Sequence, residues 1–149
     1  MHAPKVIGFT GTRQGMTAAQ LETVARLVRA FQPTEAHHGA CVGADAEFHW
    51  IVRRECPSCR IVGHPGPDET MQARRALADC DEVLAPKSHF ARNRDIVELA
   101  LDGMIGAPPT EPLPQQGGTV YTVRHSWQRG RYTAVVWPSG DVLENGMKK

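Results

Sequence analysis

The chain has 149 residues, 41% of them hydrophobic and 22% charged, the proportions of a folded globular domain with room for one sizeable core. Seventeen Lys and Arg against sixteen Asp and Glu leave a net charge of +1, which argues against a nucleic-acid-coating protein and an acidic disordered chain. No stretch of about 18 apolar residues occurs, so no membrane-spanning helix is expected.

The opening Met1-His2-Ala3-Pro4-Lys5 passes directly into an apolar run with nothing resembling a secretory leader, and a cytoplasmic protein is expected. Residues 5–9 read as a buried strand ending in Thr10-Gly11-Thr12-Arg13-Gln14-Gly15. Helix start signals follow. Thr17 suits an N-cap, Gln20 completes a capping box, and Met16 and Leu21 are spaced as a hydrophobic staple. Leu21, Val24, Ala25 and Val28 form one apolar stripe, and Gln32-Pro33-Thr34 ends the helix. Residues 35–39 read as a short strand. The turn Gly39-Ala40-Cys41-Val42-Gly43-Ala44-Asp45 opens a second helix with Phe48, Ile51 and Val52 inward. Cys56-Pro57-Ser58-Cys59 is a single CxxC, which reads as a reduced turn; a redox pair or a metal site with His64 is the alternative.

Residues 60–63 read as the third strand, closed by His64-Pro65-Gly66-Pro67. A third helix is expected over about 69–78, a fourth strand over 81–85, a fourth helix over about 93–101 and a fifth strand over 103–107. Residues 108–116 form a Pro-rich loop whose four prolines exclude helix and central strand. It is either a solvated loop or a lid bordering a crevice. Gly117-Gly118-Thr119 opens a last helix to about residue 129, and residues 133–137 form the sixth strand. Strands alternating with helices predict one domain over residues 1–149, a parallel sheet with helices on both faces.

In such sheets ligands sit outside the carboxyl ends of the strands. Three strand-to-helix turns here are Gly-rich, and such turns let backbone N–H groups approach an anion. Neither GxGxxG after the first strand nor GxxxxGK[ST] is present, which argues against a conventional NAD-binding unit and a P-loop. The basic residues are thirteen Arg and four Lys, and Arg is the better bidentate partner for phosphate. Arg92-Asn93-Arg94-Asp95 is read as the start of the fourth helix, where two Arg make sense beside a bound anion; pairing with Asp95 or Glu98 is the alternative. Asp45 can cap its helix, hold a ribose hydroxyl or act as an acid/base group. His37 and His38 point to opposite faces if they lie in a strand, so no metal is assigned. Trp50, Trp127 and Trp137 are expected in the core or an interface.

Taken in order, these turns resemble the SLOG superfamily. That group includes the Lonely-guy phosphoribohydrolases, the Rossmann-like domain of DNA-processing protein A and many small bacterial and phage proteins. Residues 7–13 look like its opening G-S/T-R segment, and residues 39–45 like its G-x-x-x-G-x-D segment. Residues 92–96 look like the R-N-R-x-I element of the DNA-processing branch, and residues 117–124, followed by Gly130, like the S-G-[ST]-x-x-T turn. The resemblance implies a three-layer Rossmann-like α/β sandwich with a mainly parallel sheet of about six strands. It implies a crevice that binds a nucleotide or nucleotide-derived phosphate ligand, as a sensor or binding domain without a cofactor.

On that basis the ligand-binding set comprises Gly11, Thr12, Arg13, Gly39, Gly43, Asp45, Arg92, Asn93, Gly117, Gly118, Thr119 and Thr122. Gly11, Thr12, Gly43, Gly118 and Thr119 would cradle phosphate by their N–H groups. Arg13 and Arg92 would neutralise charge; Asn93, Thr119 and Thr122 would donate hydrogen bonds. The second reading is a nucleotide N-glycosidase or phosphoribohydrolase with Asp45 and Arg74 as catalytic candidates, since residues 71–75 resemble the stretch bearing that branch's catalytic Arg. The Lonely-guy motif P-G-G-x-G-T-x-E-E, aligned on Pro114 and Gly118-Thr119, however, places Tyr121 and Thr122 where the two glutamates belong. Asp45 or Glu69 would then have to supply the carboxylate. A third reading, a single-stranded DNA or protein-interaction module, is disfavoured by the neutral charge and the lack of an evident aromatic face. Homodimerisation is an expectation of the family alone.

Overall fold

The computed structural model describes residues 4–144, so the first three residues of the opening segment lie outside the described residues. Strand β1 (Val6–Gly11) leads into helix α1 (Ala18–Phe31), then β2 (Glu35–His38), α2 (Ala44–Glu55), β3 (Arg60–Gly63), α3 (Arg74–Asp79) and β4 (Glu82–Val83). The second half comprises α4 (His89–Leu99), β5 (Gly103–Ala107), α5 (Gly118–Gln128), β6 (Thr133–Val136) and β7 (Val142–Glu144). The strands form one sheet in the order β4-β3-β2-β1-β5-β6-β7, parallel except for the β6–β7 pair. Ile7, Phe9, Ala36, Ile61 and Ile105 face α1 and α2 across the main core, where the Phe9 and Phe48 rings stack at 4.5 Å. Helices α4 and α5 cover the other face. Gly8 lets α4 come close, since a Cβ there would lie 2.5 Å from Met104 Sδ and 2.8 Å from Ile96.

Helix α1 starts as its sequence predicts. Thr17 Oγ1 accepts from the Gln20 N–H and Gln20 Oε1 accepts from the Thr17 N–H. The buried Gln20 amide then donates to the carbonyls of Pro108 and Val136, tying the helix to the ends of two strands. The CxxC is a turn of free, buried thiols, in which the Cys56 thiol donates to the Pro33 carbonyl and burial pushes Cys59 up to about 12.

The sheet has seven strands where about six were expected, because Gly140 at φ 91 lets the chain reverse after Trp137 and β7 returns antiparallel. The structure corrects four expectations. The third helix is broken. Asp68 caps a single 3₁₀ turn (Glu69–Met71), after which the chain extends, the Ala73 N–H donating to Ala40 O and the Val42 N–H to Met71 O. Strand β4 is only two residues long. Helix α4 begins at His89, capped by Ser88 Oγ, so Arg92 and Arg94 stand a turn inside it and not at its start. Of the tryptophans expected in the core or an interface, Trp50 is not in the core: it is 45% exposed because it falls off the buried stripe of α2, which comprises Ala44, Asp45, Phe48, His49, Ile51 and Val52.

Candidate functional site

Strands β1 and β5 are neighbours, but α1 leaves β1 for one face and α5 leaves β5 for the other. Such a switch point opens a crevice at the carboxyl ends of the strands. A cavity of ≈ 380 Å³ lies there. Its floor is Thr10 and Gly11 at the end of β1 and Thr12 just after it, with the Thr12 N–H donating to Ala107 O at the end of β5. Gly39, Cys41 and Asp45 form one wall, while His89, Arg92 and Asn93 of α4 form another. Gly117, Gly118 and Thr119 at the start of α5, with Pro109, Pro114 and Gln116 of the Pro-rich loop, close the third side. The loop therefore borders the cavity.

Arg92 is the most constrained of these residues. It is 5% exposed, and its donors go to neutral acceptors: Gly39 O at 2.8 Å, His64 O at 3.0 Å, Asn93 Oδ1 at 2.7 Å and His89 Nδ1 at 3.2 Å. Among the described residues no carboxylate forms an ion pair with it; Asp45, on the other side of Gly39, attracts it without reaching ion-pair distance. Because an arginine only donates, His89 must accept through Nδ1 and carry its proton on Nε2. Gly39 makes this packing possible, since a Cβ there would lie 2.7 Å from Arg92 Nη1 and 2.8 Å from Asp45 Oδ2.

Asp45 does not cap its own helix. Its carboxylate reaches back to accept from the Cys41 N–H at 3.2 Å, and the N-cap of α2 is Gly43, which has no side chain to offer. Burial raises the Asp45 pKa to about 6, opposed by Arg92 and by the backbone N–H groups of Cys41 and Gly39. Arg13 stands exposed at the rim, with no ion pair among the described residues. The N-cap of α5 is Gly117, at φ 128 and with no side chain to offer, which leaves the helix's first-turn N–H groups open towards the cavity.

Four predicted residues lie elsewhere. Gly43 packs against the first turn, where a Cβ would meet Arg13 O at 2.3 Å, and does not line the cavity. The Thr122 hydroxyl donates to Gly118 O within its own helix and is fully buried. Arg74 and Glu69 are exposed and outside the cavity lining. Sequence reasoning missed His89 and Cys41. The signal for His89 was present, three residues before Arg92 on one helix face, and was hidden by starting that helix too late.

His37 and His38 do face opposite ways. His37 Nε2 donates to Glu35 and its Nδ1 meets His64 Nε2 at 2.7 Å. On the other face His38 Nε2 meets His49 Nδ1 at 2.9 Å, and His49 Nε2 donates to Asp79. Cys80 Sγ lies 3.9 Å from both His38 Nε2 and His49 Nδ1, so three metal-type ligand atoms gather where the spacing along the chain gave no sign of it. The Ala40 N–H, however, donates to His38 Nδ1, which places the His38 proton on Nε2. Each pair is thus a one-way hydrogen-bond relay ending on a carboxylate, and a metal at His38 Nε2 would have to displace that proton.

Fold and crevice together define a Rossmann-like α/β domain whose open site lies at the carboxyl edge of the sheet. No family model matches the chain, and no curated protein matches it either. Among solved structures it is similar to a molybdenum cofactor binding protein from the phototrophic bacterium Rippkaea orientalis. The two share 16% identity at a TM-score of 0.66, over 91% of this chain and 77% of that one. It is also similar to DNA processing protein A from Streptococcus pneumoniae, with 17% identity and a TM-score of 0.65 over 89% of this chain. The chain spans only 50% of the latter protein. The likeness to DNA-processing protein A that the sequence motifs imply is thus present at the level of the fold. No helix among the described residues is long and apolar enough to cross a membrane.

Proposed function

We propose that the crevice binds a nucleotide or nucleotide-derived phosphate ligand and that the chain is a binding or sensor domain. The observation that carries this reading is Arg92, a buried cation lining the cavity with no carboxylate at ion-pair distance among the described residues. An anion would complete its charge, Arg13 would close over it from the rim, and the open first turn of α5 would add N–H donors. The R. orientalis neighbour, which binds a molybdenum cofactor, supports a small-molecule ligand in this fold. Calorimetric titration with nucleoside monophosphates and diphosphates should give binding that Arg13→Gln weakens about tenfold or more, one charge-assisted contact being lost. Arg13 is exposed, so this variant leaves the packing intact. Absence of binding at millimolar ligand to folded protein overturns the reading.

A second reading rests on Asp45 alone. A buried carboxyl with a pKa of about 6 in the same cavity is suited to general acid/base work on an N-glycosidic bond. Arg74, the expected partner in that chemistry, stands outside the cavity. Release of free base from nucleoside monophosphates, abolished by Asp45→Asn, would establish hydrolysis; intact nucleotide after long incubation at high protein concentration would exclude it.

A further inference from the structure

We propose that the groove between α4 and α5 is a second compartment of the same site, which holds the planar heterocyclic ring of a ligand whose phosphate sits against Arg92. The proposal rests on the phosphate-binding reading and adds where the rest of the ligand goes. The groove has a volume of ≈ 600 Å³ and opens from the cavity: Arg13, His89, Gln116, Gly117, Gly118 and Val120 line both. Taken alone, the ≈ 380 Å³ cavity is near the lower end of small-molecule sites; with the groove it approaches the upper end, about 1,000 Å³.

The groove wall is aromatic. Phe90 and Tyr121, from different helices, meet with ring centroids 4.5 Å apart, and His125 lies parallel to Tyr121 at 6.3 Å. Tyr121 is held in place by a hydrogen bond from Arg94 to its hydroxyl at 2.9 Å. Phe9 and Phe48 stack in the core and Phe31 packs on Tyr132, but Phe90 is 54% exposed. Its one ring contact among the described residues is Tyr121, which leaves the rest of the ring open to the groove. The sequence shows no evident aromatic face because this pair comes from residues 31 positions apart, which no local pattern displays.

The spacing suits one molecule. Tyr121 lies three residues beyond Gly118, roughly 4.5 Å along the helix, so a phosphate on the first-turn N–H groups and a ring on Phe90 and Tyr121 are separated by about one pentose. Arg124, also in the groove lining, adds a cation beside the ring plane.

The test compares ribose 5-phosphate, which carries the sugar phosphate without a ring, with the four nucleoside 5′-monophosphates by calorimetry on wild type, Phe90→Ala and Arg13→Gln. At least one nucleotide should bind ten times or more tighter than ribose 5-phosphate. Phe90→Ala should weaken that nucleotide about 5- to 100-fold, the loss expected of one stacked ring, and leave ribose 5-phosphate unchanged. Arg13→Gln should weaken both. Equal affinity for ribose 5-phosphate and every nucleotide overturns the ring compartment while leaving the phosphate site standing. An equal effect of Phe90→Ala on both ligand types also overturns it. So does a change of oligomeric state in Phe90→Ala with no change in affinity, which would make the groove a subunit interface. Failure of every phosphate compound to bind overturns both readings together.

Discussion

Asp45 and Arg92 show how burial, rather than residue type, decides what a charge does. The two approach the same point above Gly39, yet burial outweighs the attraction and the Asp45 carboxyl titrates at about 6. A carboxyl whose folded pKa is raised favours the fold below its unfolded value of 3.8, and that advantage is lost as pH rises to about 6. The interval corresponds to about 3 kcal/mol at full ionisation. Asp45→Asn, which keeps the neutral shape, should therefore stabilise the protein above pH 6 by up to about 3 kcal/mol and have little effect near pH 4. Urea denaturation at pH 4 and pH 7.5 reads this directly; a variant less stable than wild type at pH 7.5 would show that the Arg92 attraction dominates. At this scale the site was partly legible. Arg92, Asn93, Arg13 and the glycines stand out by residue type and spacing. Arg92 was nonetheless chosen for an electrostatic strain at a helix start, where it does not lie; what sets it apart is burial, which depends on contacts with Gly39 and His64, 53 and 28 positions away.

The glycine-rich turns separate into two kinds once their surroundings are known. Gly43, at φ 88, has the backbone of Arg13 where its Cβ would be, so it locks the first and second turns together. Gly117, at φ 128, has nothing within 4 Å of that position. Gly43→Ala must push two turns apart and should cost several kcal/mol, well above the ordinary penalty of about 1 kcal/mol for a left-handed alanine. Gly117→Ala meets no clash but sits at φ 128 and ψ 163, a region essentially reserved for glycine, so it should cost about 1–3 kcal/mol by backbone strain alone while weakening phosphate binding by bending the start of α5. Thermal melts rank the two variants, and equal losses would contradict the packing role of Gly43. Thr17→Ala, which removes the α1 cap, should cost about 1 kcal/mol in the same assay. Elements specified by such short-range signals were legible: α1 from its capping box, β1 and β5 from unbroken apolar runs. The third helix was not, because residues 71–73 are drawn into extended pairing with residues 40–42 by a contact the local pattern does not encode. β7 was missed although Pro138-Ser139-Gly140 is a turn signal, since residues 142–144 are too few and too exposed to show a period.

At the scale of the whole molecule, the sheet order creates sites that no segment contains. β1 beside β5 makes the crevice, and β2 at the centre of its half of the sheet carries His37 and His38 into two buried relays on opposite faces. All four histidines are held neutral: burial lowers His37, His38 and His49 below 6.5 and pushes His64 to about 3. The sign follows from the unfolded chain, which takes up protons near 6.5 while the folded one does not. The stability is therefore complete above pH 6.5 and is lost as pH falls below it. His64 alone, buried and titrating near 3, should withdraw about 2 kcal/mol by pH 5, and its three companions act in the same direction. Asp45 acts oppositely between 3.8 and about 6, one group against four. Denaturation free energy measured from pH 8 to pH 5 should fall steadily below 6.5. His64→Asn should be less stable than wild type at pH 8, through the lost hydrogen bond to His37, but should lose about 2 kcal/mol less on acidification to pH 5. A wild-type protein as stable at pH 5 as at pH 8 would mean that the relays accept protons in the folded state, and that the burial seen at His38 and His64 does not govern their charge.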